Sequence, residues 1–193
     1  MNNSWYDANK RDLWRLVFYH NSSGGVFFSK GSHELLSCNT AQKFSKLGSL
    51  RDTLKIGKYF EFLLEYPEFN HYIHWLQPDN PTKTSTLTDF IPIHVPDNTI
   101  PFAGLMLSSE IGDTYIDGTS SISKWFYAIG AYHSWPSEGY FPGPQYKNSA
   151  GDDLGVSVVR LYVRINYAKT CKSKMYTYFN PFTYVTILLI SIE

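Results

Sequence analysis

Residues 58–66 read Lys-Tyr-Phe-Glu-Phe-Leu-Leu-Glu-Tyr, and the two parities differ in character. Phe60, Phe62, Leu64 and Tyr66 are aromatic or aliphatic, whereas Glu61 and Glu65 fall among Tyr59 and Leu63 on the other parity. Side chains alternate across a strand with period two, so the pattern predicts a strand that buries the first set, stopped at Pro67. Residues 156–165 alternate in the same way, with Val156, Val158, Arg160, Tyr162 and Arg164 set against Ser157, Val159, Leu161, Val163 and Ile165. Residues 125–132, Trp-Phe-Tyr-Ala-Ile-Gly-Ala-Tyr, carry no charge and place rings on both parities. That predicts a central strand covered on both faces.

Shorter strands are expected at 13–19 and 26–29, joined as a hairpin through Asn-Ser-Ser-Gly-Gly, and again at 72–77, 102–107 and 114–117. The last of these closes on Asp117-Gly118. Residues 82–88 read as a loop or an edge strand, and 148–155 as a turn. Two prolines confine 90–96 to a sheet edge or an extended crossing. Only 40–54 departs from this rhythm, since Phe44, Leu47, Leu50 and Leu54 fall near helical spacing and Thr40 can cap. A short helix is expected there, weakened by Gly48 at about 1 kcal/mol relative to alanine; the rival is an irregular loop plugging one end of the fold.

With no βαβ alternation and no internal repeat, these segments predict an all-β fold, an antiparallel β-sandwich of jelly-roll type with one or two short helices. It is expected to occupy residues 1–165 as one domain, with 166–193 as a tail that adds a strand, docks loosely or lacks a partner in the fold. The apolar run at 185–190 falls well short of the roughly 20 residues of a membrane helix, so no membrane span is expected.

Composition sharpens this picture. Aromatic residues make up 17% of the 193 residues and charged residues only 18%, so the chain buries rings rather than displaying ions. The formal net charge is zero and no basic stripe is present, which argues against a nucleic-acid partner. Cys38 and Cys171 either pair across a long loop or stay as free thiols, and no Cys-x-x-Cys spacing suggests zinc. The N-terminus lacks an apolar signal region: the expected location is cytoplasmic if the chain is complete as written, extracellular or at the cell surface if it is a module of a longer one.

No His-Glu-x-x-His, Gly-x-Ser-x-Gly or phosphate-loop motif is present. His71 and His74 stand three apart, on opposite faces of a strand, and make poor joint ligands. Glu61 and Glu65 share one strand face, as a pair of carboxylates or as an exposed sheet surface. What remains are loops mixing rings with polar groups. Trp75, Gln77, Asp79 and Asn80 form one, and His133, Trp135, Tyr140 and Tyr146 form another, stiffened by Pro136, Pro142 and Pro144. Such rings either plug the ends of the fold or stack on the apolar face of a sugar while polar neighbours bind its hydroxyls. Asp117, at an expected strand end, is a turn residue or a ligand for a hydroxyl or Ca²⁺; no other cofactor is expected.

The segments Tyr-Ile-Asp-Gly at 115–118, Trp-Phe-Tyr-Ala-Ile-Gly-Ala-Tyr at 125–132 and Leu-Tyr-Val-Arg-Ile at 161–165 together resemble discoidin-type, galactose-binding-like modules. The resemblance spans about residues 14–165 and implies a jelly-roll sandwich with its ligand on loops at one end. The terminal cysteine pair common in discoidin-type modules is missing, and no functional residue carries over from the family. The expected function is non-catalytic, lectin-like recognition of a glycan or glycoprotein surface through Asp117, His133, Trp135, Tyr140, Tyr146, Trp75 and Asn80. The alternatives are a glycan-active hydrolase or lyase, using Glu61 with Glu65 or His133 with Asp117, and a structural module of a homo-oligomer, capsid or fibre.

Overall fold

The computed structural model describes residues 13–25, 28, 42–95, 102–108, 115–119, 127, 129, 145–147, 150 and 152–165. Among these the chain is all-β, with antiparallel pairing throughout and ten strands. They are β1 (Trp14–Asn21), β2 (Lys43–Ser45), β3 (Phe60–Tyr66), β4 (His71–Gln77), β5 (Ile91–His94), β6 (Phe102–Ser108), β7 (Tyr115–Thr119), β8 (Gln145–Lys147), β9 (Asp153–Gly155) and β10 (Val158–Arg164). Six form the main sheet, in the order β2-β1-β10-β3-β4-β5. The others form two ribbons, β6-β7 and β8-β9.

The main sheet is two-faced, as its alternation dictates. Phe60, Phe62, Leu64 and Tyr66 of β3 are buried, as are Ile73 and Trp75 of β4 and Val159, Leu161 and Val163 of β10. Each large apolar side chain buried this way stabilises the fold by about 2 kcal/mol. In β1 the register slips between Leu16 and Phe18, a bulge that turns both Val17 and Phe18 into the core. Trp75 packs edge-on against Phe102 at 4.9 Å, and Phe102 in turn meets Phe90 and Tyr127. One continuous core thus joins the main sheet to the β6-β7 ribbon.

A single amide ties these two layers together. Gln77 Oε1 accepts from Trp75 Nε1 at 2.8 Å and from the Leu105 backbone nitrogen at 2.9 Å. Its Nε2 donates to the carbonyls of Asp79 at 2.7 Å and Leu105 at 3.0 Å. Every hydrogen-bonding capacity of this fully buried side chain is used. Close approach of β6 needs Gly104, at φ 86°, where an added Cβ would lie 2.7 Å from Leu87 Cδ1 and 3.0 Å from Gln77 Oε1.

Several expectations change. Residues 42–54 form no α-helix: β2 pairs with β1, and two 3₁₀ turns follow at Leu47–Ser49 and Asp52–Leu54. Apolar positions three and four apart suit a 3₁₀ plug as well as a helix, and only Leu47 of the two turns is buried. The edge of β1 at Phe18–His20 is taken by β2, while the expected partner strand at 26–29 lies outside the described residues apart from Phe28, which is buried without being in a strand. Part of the expected turn at 148–155 is strand: β9 pairs antiparallel with β8. β7 runs through Asp117 and Gly118 to Thr119, because a Cβ on Gly118 would meet Phe102 at 2.6 Å and Tyr127 at 2.8 Å and the glycine lets β7 lie against them. Of the expected central strand only Tyr127 and Ile129 are described; both are buried, and Ile129 bridges to Ile116. The proline-bearing segment forms β5 at the sheet edge, with Ile91 and Ile93 exposed. The tail at 166–193 and both cysteines lie outside the described residues.

Replacing Gln77 with Leu strands the Trp75 and Leu105 N–H groups and the Leu105 carbonyl in the core. We expect a loss of ~3 kcal/mol or more in unfolding free energy, read from urea denaturation. A change below ~1 kcal/mol would show that the amide clamp contributes little.

Candidate functional site

The chemistry in the described residues concentrates on the face of the main sheet opposite the core. Antiparallel register places Glu61 and Glu65 of β3 between β10 and β4, with Arg160 across from Glu65, Leu63 between Tyr162 and His74, and Tyr72 on the far side of Glu65. The result is two rows of polar side chains running across three strands.

In the first row Glu61 is the hub. Arg164 Nη1 donates to both of its carboxylate oxygens at 3.0 Å, and His74 Nε2 lies 2.9 Å from Oε1. The Glu61 side chain is only 7% exposed, while that of Arg164 is 40% exposed. Burial pushes the Glu61 carboxyl up, but the hydrogen bonds from His74 and Arg164 and their charges outweigh it and hold the group below the usual 4.5. Trp14 stands edge-on to His74, centroids 5.4 Å apart. In the second row Arg160 Nη1 and the Tyr162 hydroxyl donate to Glu65 Oε2 at 3.3 and 3.4 Å. Tyr72 stacks on His94 of the edge strand, centroids 4.3 Å apart and planes 15° from parallel. His94 is exposed and Tyr72 half-buried.

Each glutamate holds its own arginine, so the two carboxylates are separate anchors and do not share a site. Both Glu61 oxygens accept hydrogen bonds from a cation, which leaves a poor nucleophile and, with the lowered pKa, a poor general acid. Among the described residues no group of three or more His, Cys, Asp or Glu side chains is placed to hold a metal ion. No helix among them is long and apolar enough to cross a membrane.

The residues singled out from sequence fall elsewhere. Trp75 is fully buried and its indole N–H is bound to Gln77, so no ring face is presented for stacking. Asn80 is also buried; its Nδ2 donates to the Leu47 carbonyl at 2.7 Å and its Oδ1 accepts from the Thr82 amide and hydroxyl, both at 2.9 Å. Asp117 lies inside β7 across from Met106, 3% exposed, rather than at a strand end. The structure therefore brings none of these three to an open loop. Tyr146 belongs to β8, opposite Leu154, while His133, Trp135 and Tyr140 lie outside the described residues. The sheet-face arginines and His74 escape a motif search because β3, β4 and β10 meet only through long-range pairing. The shared parity of Glu61 and Glu65, and of Arg160 and Arg164, is the signal that finds them.

No protein-family model matches this chain, and neither any curated protein nor any solved structure resembles it at a significant level.

Histidines on both faces of β4 and on β5 set the response to acid. Burial, and then the charge of His94, holds the His71 imidazole below the ordinary 6.5. Burial, and then the charge of His74, does the same for His94. Unfolded, these rings take up protons near 6.5; folded, they resist, so their contribution is full above that pH and falls as the pH drops through it. Glu61 acts in the same direction, its contribution being lost only below 4.5. The thermal midpoint should therefore fall between about pH 7 and pH 5, and His71→Gln with His94→Gln should flatten that limb. A decline starting only below 4.5 in the unsubstituted protein would remove the histidines from this account.

Proposed function

We propose that this chain is a non-catalytic carbohydrate-recognition module whose ligand lies across the polar face of the six-stranded sheet. The observation that carries this reading is the interleaving of rings and fixed polar groups on that face. His94 stacked on Tyr72 places an aromatic pair at the sheet edge, and Trp14 of β1 edges against His74 of β4, the strand next to β5. Between them stand Arg160 and Arg164, held in place by carboxylates. A sugar needs an apolar plane under its ring and directional donors at its hydroxyls, and this face supplies both in one layer. Side chains on paired strands are already ordered, so little entropy is lost on binding, which favours a shallow site of modest affinity, on the order of 4 to 8 kcal/mol.

Recognition is favoured over hydrolysis by the state of the carboxylates. A glycosidase requires one carboxyl able to hold a proton and a second free to attack or to activate water. Glu61 is ionised and saturated by Arg164 and His74, and Glu65 is tied to Arg160 and Tyr162. The segment with His133, Trp135 and Tyr140, which lies outside the described residues, is by its composition a second candidate for the same ligand class.

Screening the unsubstituted protein on a glycan array, with turnover assayed in parallel, tests this directly: binding without turnover is expected. Tyr72→Ala together with His94→Ala should weaken the best glycan by about tenfold or more, with a small change in thermal midpoint. If Trp135→Ala abolishes binding while the sheet-face pair does not, the ligand depends on Trp135 and the sheet face is not its site. An array with no bound glycan sinks the reading altogether.

A further inference from the structure

Building on the carbohydrate reading, we infer that the ligand is an acidic glycan of the uronic-acid type, its carboxylates gripped by Arg160 and Arg164. Each arginine spends only Nη1 on its glutamate. No further hydrogen bond to either guanidinium is made by the described residues, and the side chains are 39% and 40% exposed. A guanidinium carries five N–H donors. Among the described residues the Nη2 and Nε donors of each arginine are therefore left as an open fork, and that fork matches a carboxylate in two parallel hydrogen bonds. The glutamates fix the orientation of the forks before any ligand arrives, which lowers the entropy cost of binding.

The spacing and the charge narrow the ligand further. Arg160 and Arg164 are four residues apart on one strand, and so roughly 13 Å apart along it, with Tyr162 on the same face between them. Two single cations separated by an aromatic residue suit a chain whose carboxylates are separated by neutral sugar surface. They do not suit a densely charged polyanion. Glu61 and Glu65 balance the two arginines locally, and the whole chain has zero formal net charge. A nucleic acid or a highly sulfated glycan would meet as much negative as positive potential here. A carboxylate held by a fork gains from the short-range hydrogen bonds, which do not need a net positive field.

The experiment is isothermal titration of the full chain with an oligosaccharide in which a uronic acid alternates with a neutral sugar, such as a hyaluronan oligomer, and with its carboxyl-reduced, neutral counterpart. We expect the acidic oligomer to bind at least about tenfold more tightly, and its affinity to fall as salt is raised. Arg160→Lys and Arg164→Lys keep the charge and remove the fork, and each should cost about tenfold or more for the acidic oligomer alone. Because Arg164 neutralises a buried carboxylate, its substitution is read beside Arg160→Lys, whose partner Glu65 is the more exposed, and beside the thermal midpoint of each variant. Equal affinity for the acidic and neutral oligomers would overturn this inference while leaving carbohydrate recognition standing. Binding of neither, together with a blank glycan array, would overturn both. Tighter binding of single-stranded DNA than of the alternating uronic-acid oligomer would also overturn the inference.

Discussion

The fold depends on one side-chain amide. Gln77 closes β4 and at the same moment supplies the hydrogen bonds that the β6 backbone needs at Leu105, so the second layer is fixed in register to the first. An apolar residue at that position would fill the same space and leave Leu105 and Trp75 with polar groups in a dry core. The neighbouring rings follow from this link. Phe102 is set against Trp75 because β6 is held at Leu105, and Phe90 and Tyr127 pack on Phe102 in turn. Gly104 and Gly118 are its steric counterparts: each gives up a side chain where two layers come closest.

Facing away from that core, the main sheet has the opposite problem, a row of charges on a surface too crowded to hydrate them fully. Glu61 shows the solution: a carboxylate nearly removed from water is tolerated because a guanidinium and an imidazole surround it. Breaking such a cluster is costly, whereas forming it contributes little net stability. Its value lies in geometry. The carboxylates hold two arginines upright beside rings, and a sheet surface becomes a patterned one.

The parts of this architecture that were legible in the sequence are those decided by local alternation. The apolar parity of β3 named its core-facing residues, the alternation marked β10 as a strand, and the prolines confined β5 to an edge or an extended crossing, of which the structure has the edge. The parts that were not legible depend on which strands meet. Glu61 and Arg164 stand 103 positions apart, and no local pattern joins them before β3 and β10 pair. Trp75 and Asn80 looked like loop ligands because rings beside Asp, Asn and Pro look alike in a core plug and in a binding loop; the Gln77 and Leu47 partners decide between the two. Residues 42–54 misled for a physical reason as well, since a 3₁₀ turn and an α-helix share the spacing of three between apolar positions.

The strand order has a consequence in time. β10 lies inside the sheet, between β1 and β3, yet it is the last of the ten strands to leave the ribosome. Until it arrives, β1 and β3 each expose an unpaired edge, and the β3-β4 hairpin and its aromatic face have no neighbour on that side. Closure must bring Arg164 back to Trp14 and to Glu61, which is a slow, entropy-limited search compared with forming a hairpin. A nascent chain that has made β1 to β9 therefore carries two open β edges, the kind of edge that pairs with other chains until β10 closes it.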